Sequence, residues 1–166
     1  PNNDYDRYNF SFRNTTNFLN NKFILDTSAN YIIQNDKNMV SQGQYFNPLT
    51  SLYLFPRGED FSDVAVYERY DDLSGVNTQY WPYGDLGGVS SQNPYWIMNR
   101  MNRENDRRRY KLAASLQYNI IEGLNVQGRV SIDNTESKYT EKFHAGTVGN
   151  FAGPKGRYKE ENRLDR

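Results

Sequence analysis

Four stretches of the chain alternate apolar and polar side chains with a period of two. Over 8–18 the even positions carry Tyr8, Phe10, Phe12, Asn14, Thr16 and Phe18, and the odd ones Asn9, Ser11, Arg13, Thr15 and Asn17. Over 22–34 the odd positions carry Phe23, Leu25, Thr27, Ala29, Tyr31 and Ile33, opposite Asp26, Ser28, Asn30 and Gln34; Ile24 and Ile32 break the rule. Over 109–120, Tyr110, Leu112, Ala114, Leu116, Tyr118 and Ile120 oppose Arg109, Lys111, Ser115, Gln117 and Asn119. Over 124–133, Leu124, Val126, Val130 and Ile132 oppose Asn125, Gln127, Arg129, Ser131 and Asp133. Successive side chains of a strand point to opposite faces, so each stretch predicts a strand with one greasy and one wet side.

The connections set the order. Leu19-Asn20-Asn21 and Ile121-Glu122-Gly123 are short links of hairpin type. Residues 35–106 and 135–166 are long connections, of the kind that carry function. The chain therefore divides into a first hairpin (1–34), a long loop (35–106), a second hairpin (107–134) and a further loop leading to the next strand (135–166). The expected fold class is all-β, with antiparallel up-and-down strands. Short turns alternating with long loops are the asymmetry of an outer-membrane β-barrel, with the long loops outside. On that reading this is part of a large barrel wall, because four strands cannot close one.

Aromatic spacing agrees. Phe10 and Phe18, Phe23 and Tyr31, and Tyr110 and Tyr118 are pairs eight residues apart, about 26 Å of strand. A tilt of about 40° turns this into about 20 Å along the membrane normal, near the ~25 Å apolar band between aromatic girdles. The lipid-facing set is then Phe10, Phe12, Phe18, Phe23, Leu25, Tyr31, Tyr110, Leu112, Ala114, Leu116, Tyr118, Val126, Val130 and Ile132. The lumen-facing set is Arg13, Asp26, Arg109, Lys111, Gln117, Arg129 and Asp133, expected to form a wet, charge-paired wall touching a plug or water. The alternative is a secreted or surface-exposed β-sandwich that binds carbohydrate, whose strands alternate in the same way.

Composition narrows the chemistry. Twenty basic and twenty acidic residues balance, which leaves no electrostatic case for nucleic acid. The absence of cysteine and the single His144 leave little for a nucleophile, a thiolate or zinc site, or a histidine triad. The expectation is a non-enzyme with no metal and no cofactor. No apolar run is long enough for a membrane helix, which leaves a barrel open. A chain starting at Pro1 without initiator Met or leader reads as a segment of something longer, or as a processed product.

Several segments are similar to one family. The run from Asn47-Pro48-Leu49-Thr50 through Phe55-Pro56-Arg57-Gly58 to Asp60-Phe61 resembles an outer-loop segment of SusC/RagA proteins, the TonB-dependent outer-membrane transporters of Bacteroidetes-type bacteria. Gln92-Asn93-Pro94-Tyr95-Trp96, Asn99-Arg100, the arginines at 107–109, and the hairpin Leu116-Gln117-Tyr118-Asn119-Ile120 with Leu124-Asn125-Val126-Gln127-Gly128-Arg129 resemble the same family. The resemblance spans roughly residues 8–139. It implies a 22-stranded barrel around a plug, a SusD-like surface lipoprotein over the mouth, energy from TonB through the plug, and a glycan or peptide substrate. No plug or TonB box lies within these residues.

The loop offers candidate contacts. Tyr80, Trp81, Tyr83, Tyr95 and Trp96 could cover sugar rings or meet the lipoprotein; equally, they could form the loop's own core. Glu59, Asp60 and Asp63, and then Asp71 and Asp72, are expected to be solvated charge rather than catalytic or Ca²⁺-binding carboxylates. Arg108 has lipid-facing parity and could meet lipopolysaccharide phosphate, with ion pairs to Glu104 or Asp106 as the plainer use of this cluster. His144 is expected in a surface loop.

Overall fold

The computed structural model describes residues 3–41, 43–86, 89–153 and 155–166. It is all-β, as the alternation requires. In chain order the elements are β1 (Asp4–Phe18), β2 (Phe23–Lys37), α1 (Pro48–Leu54), a 3-10 turn (Phe61–Ala65), β3 (Glu68–Asp71), β4 (Val76–Gln79), β5 (Asp85–Leu86), β6 (Val89–Ser90), α2 (Pro94–Arg100), β7 (Met101–Ile121), β8 (Leu124–Phe143), α3 (Gly149–Ala152) and β9 (Arg157–Asp165). β1, β2, β7, β8 and β9 form one sheet in that spatial order; β3–β4 and β5–β6 are separate two-stranded ribbons. The chain folds as two compact units. A sheet unit holds Asp6–Asn35, Asp106–Lys138 and Asn162–Arg166; a loop unit holds Asp36–Asn105 and Tyr139–Glu161, with the first residues up to Tyr5.

The four expected strands are present and longer than their apolar stripes. β1 begins at Asp4, β7 at Met101 directly after α2, and β8 runs on to Phe143. The stretch expected to be a loop beyond residue 134 therefore contains the end of β8 and all of β9. That fifth strand was hidden because Glu160 and Asn162 stand between Tyr158 and Leu164, so no apolar stripe marks it. Its place depends on backbone pairing to β8 rather than on greasy burial.

In the sheet unit both hairpins turn tightly. Lys22 N donates to Leu19 O at 3.1 Å, closing a turn in which Leu19, Asn20 and Asn21 all have positive φ. Gly123 (φ 81°) supplies the same handedness to the β7–β8 turn, a twist that matches the flanking strands.

The loop unit has a small core of its own. Trp96, Ile97, Met101, Phe143 and Ala152 are buried together, with Phe46 and Tyr67 packed against them. Two Asn-Pro pairs start its two seven-residue helices in the same way. The Asn47 side chain accepts from Leu49 N and the Asn93 side chain from Tyr95 N, with proline at the first turn of each helix. Asp60 caps the 3-10 turn by accepting from Ser62 N. β3 and β4 pair Glu68 with Gln79 and Asp71 with Val76.

Candidate functional site

The sheet unit presents two chemically opposite faces. On the apolar face Phe12, Leu112, Leu116, Val126, Val130 and Ile132 are exposed, Val130 to 71%. Phe10, Phe18, Tyr31, Tyr110 and Tyr118 are exposed too, while Phe23, Leu25 and Ala114 are half-buried by their neighbours. Among the described residues of this unit no second sheet covers them. At the turn end three rings stack in a row across β1, β2 and β7. Phe18 lies 5.7 Å from Phe23, and Phe23 4.6 Å from Tyr118, with nearly parallel planes. These are the turn-side members of the three eight-residue aromatic pairs. An exposed apolar face of this extent marks a surface that meets a membrane or another protein.

The polar face is ionic. Arg13 donates two hydrogen bonds to Asp26 (3.1 and 2.6 Å), and Arg109 two to Asp133 (2.8 and 2.5 Å). Gln117 shares this face and donates to Asn119 at 2.8 Å. Arg107 donates to Ser137. The arginine cluster thus bonds to β8, not to Glu104 or Asp106; Glu104 is engaged by Lys37 and Lys142 instead. Arg108 makes no hydrogen bond or ion pair among the described residues. The expected pairing of the wall is incomplete, because Lys111 and Arg129 have no ion pair or hydrogen bond among the described residues either.

The loop aromatics mostly serve the loop. Trp96 is fully buried and donates from Nε1 to Thr147 Oγ1 at 3.1 Å, so it has no face to offer a ligand. Tyr95 lies 5.8 Å from Phe61 and 6.5 Å from Tyr67; Tyr83 lies 5.0 Å from Phe55 and 5.2 Å from Trp81. Trp81 donates to Ser91 Oγ at 2.8 Å, and the Arg69 guanidinium sits 3.4 Å over the Tyr80 ring. Tyr80, Trp81, Tyr83 and Tyr95 remain half-buried, each with an edge to spare. Desolvation raises the Tyr83 phenol, helped by Glu59 nearby. All three methionines of the chain, Met39, Met98 and Met101, meet Val40 and Leu49 around an apolar recess of about 270 Å³.

Of the carboxylates singled out by sequence, Asp60 and Asp71 hold turns, while Glu59, Asp63 and Asp72 are exposed. Asp60 is held below the usual aspartate range by the Ser62 backbone N–H, and Asp71 by Ser74 within the β3–β4 turn. Glu68 receives both arms of Arg100 (2.8 and 2.9 Å), which keeps its carboxyl low. His144 is exposed, as its loop setting suggested.

Two organising residues escaped the pattern. Asn93 is fully buried: Nδ2 donates to Val64 O (2.9 Å) and Tyr80 O (3.0 Å), and its backbone N–H donates to Gln79 Oε1 (2.7 Å). Arg103 lies over Phe46 and Phe143, and donates to Glu141 (3.2 Å) and Ser41 (2.7 Å). The Asn-Pro dipeptide was a usable cap signal for the first. Nothing local marks the second, whose partners are distant in sequence.

No family model matches the chain, and no curated protein does. The two-faced sheet and the ordered loop unit carry the functional reading.

Proposed function

We propose that this chain contributes wall strands and an outer loop to a TonB-dependent importer of the SusC/RagA type in the cell outer membrane, taking up a glycan or peptide with a SusD-like lipoprotein. One observation carries it: a single-layer sheet whose exposed face is predominantly apolar, with Asn14, Thr16 and Thr27 the polar side chains among the apolar ones, and ends in a stacked aromatic row. Acyl chains satisfy such a face, and interfacial aromatics suit its border. The opposite, ion-paired face would then line the aqueous interior. The loop unit would present the free edges of Tyr80, Trp81, Tyr83 and Tyr95 to cargo or lipoprotein, supported by Trp96 beneath. TonB, acting through a plug outside these residues, would supply the energy.

Ala114 provides the test. It lies among Leu112, Val130 and Ile132 on the apolar face. In the full-length protein, Ala114→Arg is expected to cost about 2–4 kcal/mol of membrane stability, read as a loss of folded protein in the outer-membrane fraction. A protein that fractionates as soluble without detergent, or inserts equally well with arginine there, would overturn the reading in favour of a β-sandwich.

A further inference from the structure

The polar face of the sheet unit is cationic, although the chain as a whole is neutral. The sheet unit holds eleven basic and seven acidic residues, and the loop unit nine and thirteen. The surplus is concentrated where the face is hollow. A concavity of about 770 Å³ is lined by Lys111 and Arg129 together with Ser11, Ser28, Ser115 and Ser131, and its one carboxylate, Asp26, already accepts both arms of Arg13. Asp133, just outside, is likewise taken by Arg109. Small serine side chains create the hollow, hydroxyls line it, and two cations flank it that feel Asp26 (Arg129) and Asp133 (Lys111) only through space, with no direct hydrogen bond or salt bridge to either among the described residues.

We propose that this hollow binds anionic, hydroxyl-rich cargo, with carboxylate-bearing oligosaccharides as the ligand class that uses both features. Lys111 and Arg129 take the carboxylates, and the four serines exchange hydrogen bonds with sugar hydroxyls. The volume is within the range of small-molecule sites, and basic side chains on a pore wall favour anions. The inference deepens the importer reading and rests on it, since only there does the polar face line a route for cargo.

The full-length protein, purified in detergent, would be titrated calorimetrically with tetragalacturonate and with neutral maltotetraose. Preferential binding of the acidic sugar is expected, weakening as salt is raised. Lys111→Gln and Arg129→Gln should each reduce its affinity by about tenfold or more, since each removes a charged hydrogen-bonding partner. Lys111→Arg and Arg129→Lys should retain binding, and all four variants should still insert into membranes. Equal binding of the two sugars, no binding of either, or affinity unchanged in both Gln variants would overturn the proposal. Failure of the importer reading is read separately: protein that stays in solution without detergent refutes the wall, whatever the sugars do.

Discussion

Asn93, an uncharged residue, ties three segments of the loop unit together. Its oxygen caps α2, while its amide nitrogen satisfies two carbonyls from different segments. Asn93→Ala removes the cap and leaves buried acceptors unpaired, an expected loss of about 2–4 kcal/mol when the two costs are combined. Asn93→Asp separates them: the cap survives, but the donors to Val64 and Tyr80 are lost. Denaturant unfolding followed by tryptophan fluorescence should rank wild type above Asp, and Asp at or above Ala. Alanine matching wild type would show that the amide bridge contributes nothing.

At the level of elements, Gly146 holds the β3–β4 ribbon to the chain that follows β8. Its φ is +86°, its carbonyl accepts from Gln79 N at 3.2 Å, and a Cβ there would stand 2.3 Å from Asn77 O. Backbone cannot yield as a side chain tip can, so Gly146→Ala should destabilise the loop unit by at least about 1–3 kcal/mol. Early proteolytic cleavage within 68–79 would report it; an unchanged digestion pattern would count against the contact. Such tertiary approaches explain what sequence reading could and could not see. β1, β2, β7 and β8 were legible because their apolar residues repeat every second position, and the turns because Asn20, Asn21 and Gly123 tolerate positive φ. β9, the ribbons and the α2–β7 junction were not, since Glu160, Asn162 and the polar β3 and β4 owe their conformation to partners rather than to a stripe. Among the candidate contacts, an aromatic run could not say which ring faces inward. Trp96 is buried because it follows the Asn93-Pro94 cap at a core-facing position, whereas Trp81 keeps an edge.

Across the whole molecule, a balanced charge conceals an uneven one, and the acidic loop unit has its own reason to answer to acid. In the loop unit, Glu68 is held below the ordinary glutamate range by Arg100. A depressed carboxyl contributes stability that is complete above its unfolded value and disappears as pH falls through its folded one. The loop unit should therefore lose protease resistance once pH drops below about 4.3, the ordinary glutamate value. Glu68→Gln should lower resistance at neutral pH and flatten that response; a variant with the same acid profile as wild type would exclude the pair as its source.

The tight turn at 19–22 and the β3–β4 ribbon differ in how they would take foreign sequence. Phe18 and Phe23, the residues that flank the turn, belong to the stacked row, so extra residues spliced between them would pull the rings out of register. Leu73, by contrast, protrudes from the ribbon's tip at 98% exposure, clear of every other side chain. An epitope or fluorophore grafted there would leave the architecture alone, giving a handle with which intact cells could report whether the ribbon is displayed at their surface, as the proposed function requires.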